Sequence, residues 1–483
     1  MRSLNGYLKI PQMSSPIIVM VLAVLLTGCA VGPDYRLPQP ELPGAWHGTS
    51  IAAPGQIENV DLAKWWTSFD DPVLTRLINE ATANNPDLRI AAGRLREARA
   101  RLRNANSALL PSVEVIGKAM HQRTSENGPQ GNRPGMDPEG NLFEAGFDAS
   151  WELDFFGGVR RGVEAAEAVA QAAADGRQEV LVSLLAEVGR AYVQLRSLQQ
   201  RLNLAQKNLG TQSETLRLVR VRFDAGLATD LDVAQAEALA SSTAAQIPAF
   251  ETQTEQTIFR ISILTGHEPT ALIPELSGEV SVPERAVMAG IPLGLPSDLL
   301  RQRPDIRAAE RELAAATALV GVAAADLYPH FFLTGEAGYQ GLESQDLFFT
   351  PSRFFSIGPS IRWSVHDFGR VRSNIEVRDA RVEQALAAYE KSILIALSEV
   401  ESSLTALDKE TTRRQAQYNT VAANRRAEAL SFDLYRQGLA TYLAVLDSQR
   451  QLFLAEDQLA QSDAAMMLNR IGLYKALGGG WEE

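Results

Sequence analysis

Two stretches of the chain carry apolar residues at spacings of three, four and seven. From Val371 to Gln437, 67 residues without glycine or proline put Ile375, Val382, Leu386, Tyr389, Ile393, Ala396, Val400, Leu404 and Leu407 on one seam, the pattern of a helix packed in coiled-coil fashion. At 1.5 Å of rise per residue such a helix is on the order of 100 Å long. The stretch Val159 to Ala225 is also 67 residues and lacks proline, although Gly162, Gly176, Gly189 and Gly210 weaken it by up to about 1 kcal/mol each. Both stretches end at a glycine, Gly226 or Gly438, which takes the left-handed conformation that terminates a helix. Shorter return helices are predicted over Thr229 to Leu264, with a kink at Pro248, and over Thr441 to Leu477. Further helices over Pro86 to Leu109 and Pro304 to Leu327 could stack end to end on the return helices and complete their length.

Elsewhere the period changes to two. Phe143, Ala145, Phe147, Ala149, Trp151 and Leu153 alternate with Glu144, Gly146, Asp148, Ser150, Glu152 and Asp154. A second run places Phe355, Ile357, Pro359, Ile361, Trp363 and Val365 opposite Ser356, Gly358, Ser360, Arg362, Ser364 and His366. A soluble half-buried sheet would alternate in the same way. Strands of about 9 to 11 residues with one apolar face, aromatics toward their ends and a polar second face also suit a membrane barrel with a wet lumen. Two hairpins supply only four strands, whereas about eight is the smallest closed bacterial barrel, so one chain would leave sheet edges unsatisfied in lipid and must oligomerise. Pro359 lacks an N–H and predicts a local bulge or an edge position.

The chain is internally duplicated. Pro86, Asp87, Arg89, Leu95, Ala98 and Leu109 recur at a constant offset of 218 as Pro304, Asp305, Arg307, Leu313, Ala316 and Leu327. The offset then shortens to 212, where Trp151, Phe156, Gly157 and Arg160 meet Trp363, Phe368, Gly369 and Arg372. Gly226-Leu227-Ala228-Thr229 repeats at the same offset as Gly438-Leu439-Ala440-Thr441, and Gly266 as Gly478. Each copy reads helix, two strands, long helix, turn, helix. The predicted organisation is a first repeat over 71–265, a proline-rich linker over 266–297, a second repeat over 298–477 and a flexible terminus over 478–483. Pro269, Pro274, Pro283, Pro292 and Pro296 forbid a long helix in the linker.

The first residues set the compartment. Arg2 and Lys9 precede ten apolar residues, Ile17 to Leu26, too few to cross a hydrocarbon core of about 30 Å. Residues 1–28 therefore read as a secretory signal. It closes on Leu26-Thr27-Gly28-Cys29, which resembles the bacterial lipobox and makes Cys29 the candidate acyl acceptor, with 29–70 a lipid-anchored extended segment. The alternative for Cys29 is a buried free thiol. Ala30 stands where an Asp would resemble an inner-membrane retention signal, which favours delivery to the outer membrane. Beyond Cys29 no run of 18 apolar residues predicts a transmembrane helix.

Composition narrows the chemistry. Lys plus Arg is 46 against 58 Asp plus Glu, a net charge of −12, and no basic run tracks a phosphate backbone, so nucleic acid is not an expected partner. A single cysteine excludes an internal disulfide framework. Five histidines lack ligand spacing, and no nucleophile elbow, phosphate loop or HExxH is present, so neither an enzyme nor a cofactor or metal is expected.

Three segments carry a family resemblance: Cys29-Ala30-Val31-Gly32-Pro33-Asp34-Tyr35, Trp65-Trp66-Thr67-Ser68-Phe69-Asp70-Asp71-Pro72, and Arg303-Pro304-Asp305-Ile306-Arg307-Ala308-Ala309-Glu310. Over essentially the whole mature chain the sequence resembles the TolC family of outer-membrane factors, in its lipoprotein branch serving resistance-nodulation-division (RND) efflux systems. The resemblance implies an α+β membrane protein. Its homotrimer would close one twelve-stranded β-barrel in the outer membrane, four strands per chain, continuous with a long α-helical coiled-coil barrel that extends into the periplasm with pseudo-sixfold symmetry. Segments near Trp65 to Ala83, Gly266 to Pro296 and the C-terminus would form a belt around it.

The implied partners are outer-membrane lipid, an inner-membrane RND transporter and a periplasmic membrane-fusion adaptor. That adaptor would dock on the tips Gly226, Leu227, Ala228, Thr229 and Gly438, Leu439, Ala440, Thr441. These residues could also be simple helix caps. The family's periplasmic gate maps onto Asp232, Leu443, Asp447 and Arg450. The last three share one helical face by spacing, although Asp447 and Arg450 could equally be an exposed ion pair of small energetic weight. Ala440 stands where some members carry an arginine that latches the carboxylate matching Asp232, so that latch is expected to be missing. The implied function is a passive exit duct for small molecules such as drugs and toxic compounds. Alternatives are the outer-membrane component of type I secretion, a periplasmic coiled-coil adaptor or scaffold, and a lipid-anchored envelope enzyme.

If Cys29 is the acyl acceptor, Cys29→Ser abolishes palmitate incorporation and slows outer-membrane assembly while leaving the fold intact. Metabolic labelling checks this, and equal label on the variant and the wild type would remove Cys29 from the role.

Overall fold

In the computed structural model, residues 30–47, 61–125, 127, 139–278 and 296–481 are described. Cys29, the signal segment and most of the proline-rich linker lie outside them. After a 3-10 segment at Leu62–Phe69, the first copy comprises α1 (Pro72–Asn84), α2 (Pro86–Ser107), β1 (Ser112–Arg123), β2 (Glu139–Leu153), α3 (Gly158–Asp224) and α4 (Asp230–Leu264). The second comprises α5 (Pro304–Ala325), β3 (His330–Gly341), β4 (Arg353–Arg362), α6 (Arg370–Arg436) and α7 (Tyr442–Ala476). The duplication extends to helix length: α2 and α5 have 22 residues each, α3 and α6 have 67, and α4 and α7 have 35. Pro248 sits inside α4, which continues across it as one helix.

The strands form one antiparallel sheet in the order β1-β2-β3-β4. Its register sorts the alternation into two faces. On one, Val115, Phe147, Ala337 and Phe355 lie directly opposite one another in successive strands; on the other, so do Glu114, Asp148, Glu336 and Ser356. The apolar face is bare, with Phe355 81% and Val115 79% exposed. Pro359 pairs with Leu333 in unbroken register, so no bulge forms, and it lies on β4, an outer strand of the sheet. The strand ends at Arg362, short of the alternation that continues through Val365. Repeat-equivalent indoles tie the strand ends to the segments just past the preceding helices: Trp151 Nε1 donates to the Leu109 carbonyl at 3.0 Å and Trp363 Nε1 to that of Leu327 at 3.2 Å.

The chain forms two compact units, each drawing on both copies. One gathers the sheet with the described parts of Met1–Pro38, Arg96–Ala172 and Ala309–Ala388; the other gathers Gln39–Leu95, Ala173–Ala308 and Tyr389–Glu483.

The second unit's core is built around Trp65, which stacks on Tyr474 at 5.5 Å and meets Trp66 and Phe69 edge-on. Leu74, Leu77 and Ile78 of α1 are fully buried in the same cluster as Val188, Leu195, Ile258 and Ile471. Asp71 caps α1 through the N–H groups of Val73 and Leu74, and its second carboxylate oxygen accepts from the Tyr192 hydroxyl at 2.6 Å. Burial pushes that phenol's pKa upward.

The expected end-to-end stacking of helices is visible as a repeated joint. Asn85 Nδ2 donates to the last carbonyl of α4, Leu264, and Arg303 Nη1 to the last carbonyl of α7, Ala476. Past each return helix a glycine turns left-handed, Gly266 at φ 79° and Gly478 at φ 78°. A Cβ on either would lie 2.7 Å from a backbone oxygen, that of Asn84 or Gln302. Conformation and close approach both require glycine there.

Gly478→Val, which adds both a disfavoured φ and a backbone clash, is expected to destabilise the fold by at least about 1 kcal/mol. A lowered thermal midpoint in detergent checks this, with Gly210→Ala, mid-helix and with nothing within 4 Å of an added Cβ, as the comparison that should not lower it.

Candidate functional site

The two helix-turn tips share one backbone design. Leu227 N–H donates to the Arg222 carbonyl and Leu439 N–H to that of Leu434, both at 2.8 Å, around Gly226 at φ 72° and Gly438 at φ 76°. These are the paired bonds of a glycine-terminated helix. Thr229 and Thr441 then turn the chain into α4 and α7 from extended conformations. The side chains of Leu227 and Leu439 are 69% and 71% exposed, although a cap needs no exposed apolar group.

The tips differ in their caps. Thr229 and Asp232 form a capping box, in which the Asp232 carboxylate accepts from Thr229 N–H and hydroxyl at 2.8 Å each while Thr229 Oγ1 accepts from Asp232 N–H. Thr441 has no side-chain cap bond. Its third helical residue is Ala444, which has no side-chain acceptor to complete a box. Asp232 is thus committed to its own helix.

Leu443, Asp447 and Arg450 are all exposed along one face of α7, opposite the buried Tyr442, Val445 and Gln449. The structure therefore brings these three gate candidates onto a common face and sets Asp232 apart on α4.

Beneath the tips, Val219, Ala236, Tyr435, Tyr442 and Val445 form a small core. Arg222 lies over the Tyr435 ring at 4.6 Å and donates to its backbone carbonyl at 2.9 Å. Burial pushes the Tyr442 hydroxyl up to about 12 and also raises Tyr435, and the Asp232 charge adds to both shifts. Sequence reasoning did not single out this Arg222–Tyr435–Tyr442 cluster, because an aromatic in the last turn of an amphipathic helix has the pattern of any core residue. A polar layer follows: Gln449 Nε2 donates to Thr215 Oγ1 at 3.1 Å, and both amide atoms of the buried Gln212 lack protein partners.

In the other unit, the residues directly after Cys29 are held firmly. Val31 N–H donates to the Phe156 carbonyl at 3.0 Å, and the buried Arg161 donates to Val31 O, Asp34 and Glu164. Tyr35 donates to Glu310, and Gly32, at φ 92°, packs directly on Gly321. The polar face of the sheet carries Glu114, Asp148 and Glu336 in one cross-strand row. Like charges held in such register favour a wet surface. No helix among the described residues is long and apolar enough to cross a membrane, and among them no group of side chains could hold a metal ion.

A sheet with a bare apolar face, combined with long helical hairpins ending in exposed tips, defines a subunit of an outer-membrane channel. The chain belongs to the outer membrane efflux protein family, whose model matches residues 77–267 and 295–479. It is 34% identical over 478 residues to the toluene efflux pump outer membrane protein TtgF of Pseudomonas putida, covering 97% of this chain and 98% of that one. It is 33% identical to the pyoverdine export outer membrane protein OpmQ of Pseudomonas aeruginosa, covering 97% and 98%. Among solved structures, the outer-membrane channel OprN superposes with a TM-score of 0.87 at 36% identity, covering 94% of this chain and all of that one. The open-state MtrE channel of Neisseria gonorrhoeae superposes at 0.81 with 27% identity, covering 94% and 99%. The protein is a non-enzymatic efflux duct of the outer membrane that extends into the periplasm.

Proposed function

We propose that three copies of this chain close a twelve-stranded barrel in the outer membrane, and that their helices form a periplasmic tube. This assembly passively passes small organic molecules outward from an inner-membrane RND transporter and its adaptor. The observation that carries the reading is the four-stranded sheet: its apolar face is bare and β1 and β4 are its outer strands. Within lipid those strands need partners from other chains. Toluene and pyoverdine in the names of two relatives support small organic cargo. The same reading assigns residues 1–28 to a signal peptide, acylation to Cys29 and adaptor contact to the two Gly-Leu-Ala-Thr turns. The divisions at 71–265, 266–297 and 298–477 follow the duplication.

Leu443, Asp447 and Arg450 form the periplasmic constriction in this proposal. Three Asp447 carboxylates facing one another in a narrow, poorly solvated passage attract cations. Asp232, held in its capping box, contributes to tip rigidity instead of a latch, in keeping with Ala440 at the position of the latching arginine.

Asp447→Ala should raise the single-channel conductance of the isolated protein in a planar bilayer and weaken its block by divalent cations, whereas Asp408→Ala should do neither. Arg450→Ala should increase cation selectivity in reversal-potential measurements across a salt gradient. Wild-type conductance and selectivity in both the Asp447 and Arg450 variants would place the constriction elsewhere.

A further inference from the structure

Of the four gate residues that the family resemblance implies, Asp232 lies on α4 and is taken up by its capping box, which leaves Leu443, Asp447 and Arg450 on one return helix, α7, and so three residues per ring. The structure supplies a second apolar member from the other copy. Leu231 is the second residue of α4, as Leu443 is the second residue of α7, and the two are separated by the repeat offset of 212. Both follow a turn with the same hydrogen bonds and nearly the same glycine φ, and both threonines that start the helices are extended. Two leucines that leave equivalent turns at equivalent helix positions project equivalently from their hairpins. Their exposures agree, 64% for Leu231 and 59% for Leu443. An apolar side chain so exposed on each of two hairpins within one chain is unexplained by either hairpin's own core, which Val233 and Val445 already serve.

The charged neighbours are not duplicated. At the offset of 212 Asp447 corresponds to Gln235 and Arg450 to Ala238. We infer that Leu231 is a further constriction residue, so that the assembled duct narrows first at a ring of six leucines, alternating Leu231 and Leu443, and then one helical turn later at a ring of only three charges. This rests on the trimeric duct proposed above, whose second and third copies are the partners the exposed leucines face. A ring of six apolar side chains restricts water and ions by dewetting, and the Asp447 ring behind it sets the sign of the ion that passes. Leakage and selectivity are thereby governed by different residues.

Leu231→Asn, Leu443→Asn and the double variant separate these roles, because asparagine keeps approximately the bulk of leucine while wetting the ring. Leu394→Asn, an exposed leucine of α6 far from the turns, serves as the control, and the detergent mass of each variant verifies assembly. Leu231→Asn should raise single-channel conductance by a factor comparable to Leu443→Asn. The double variant should exceed either, the reversal potential should stay at its wild-type value, and Leu394→Asn should change nothing. If Leu443→Asn raises conductance and Leu231→Asn does not, the ring is threefold and the inference fails while the duct stands. If neither does, the leucine ring fails as a whole; a wild-type protein that forms no channel would overturn the duct itself.

Discussion

A hydrogen-bonded sheet placed in hydrocarbon must have no free edge, because each unpaired backbone group there costs several kcal/mol with no water to relieve it. The four strands of this chain cannot curl into a closed barrel by themselves. The features of the sheet are arranged around that constraint. Its apolar face carries Val115, Phe147, Phe355 and Ile357 exposed, its opposite face lines up Glu114, Asp148 and Glu336, and Pro359, which cannot donate to a ladder, is confined to an outer strand. Edges that would be an aggregation hazard in a soluble protein become the assembly interface in the proposed trimer.

The duplicated copies agree where backbone geometry leaves no choice and differ where chemistry is local. Gly226 and Gly438, Gly266 and Gly478, and the indole bonds of Trp151 and Trp363 recur because turn conformation, close approach and indole satisfaction each admit few side chains. The joint between helix ends keeps its target carbonyl but changes its donor, Asn85 in one copy and Arg303 in the other. At the tips, Thr229 has a carboxylate at Asp232 to complete its cap while Thr441 faces Ala444. One tip therefore has a side-chain cap that the other lacks, so the two copies differ at their helix-turn tips.

The long helices were legible because 67 residues without proline, with apolar positions at three and four, leave no competing element, and the observed helices have that length, each displaced by one residue. Period two marked β2 and β4, whereas the bounds of β1 and β3 and the pairing of β2 with β3 were not legible. That Leu443, Asp447 and Arg450 share one exposed face of α7 followed from their spacing. What the sequence concealed were contacts between residues distant along it. Arg161 gripping Val31 and Asp34 joins residues about 130 apart, and Arg222 over Tyr435 joins residues 213 apart. Neither has a periodic signature, since a cation over a ring or a clasp on an extended segment depends on which helices pack together. Of the two outcomes expected at Pro359, a bulge or an edge position, the edge is observed, because an outer strand tolerates a missing donor without leaving register.

The claim on which the rest depends is that chains complete one another's sheet. The mass of the protein–detergent complex, measured by light scattering with the detergent contribution subtracted, tests it directly. Three chains per particle, with strand content retained, is the result expected. A monodisperse particle of one chain with its strands folded would contradict it.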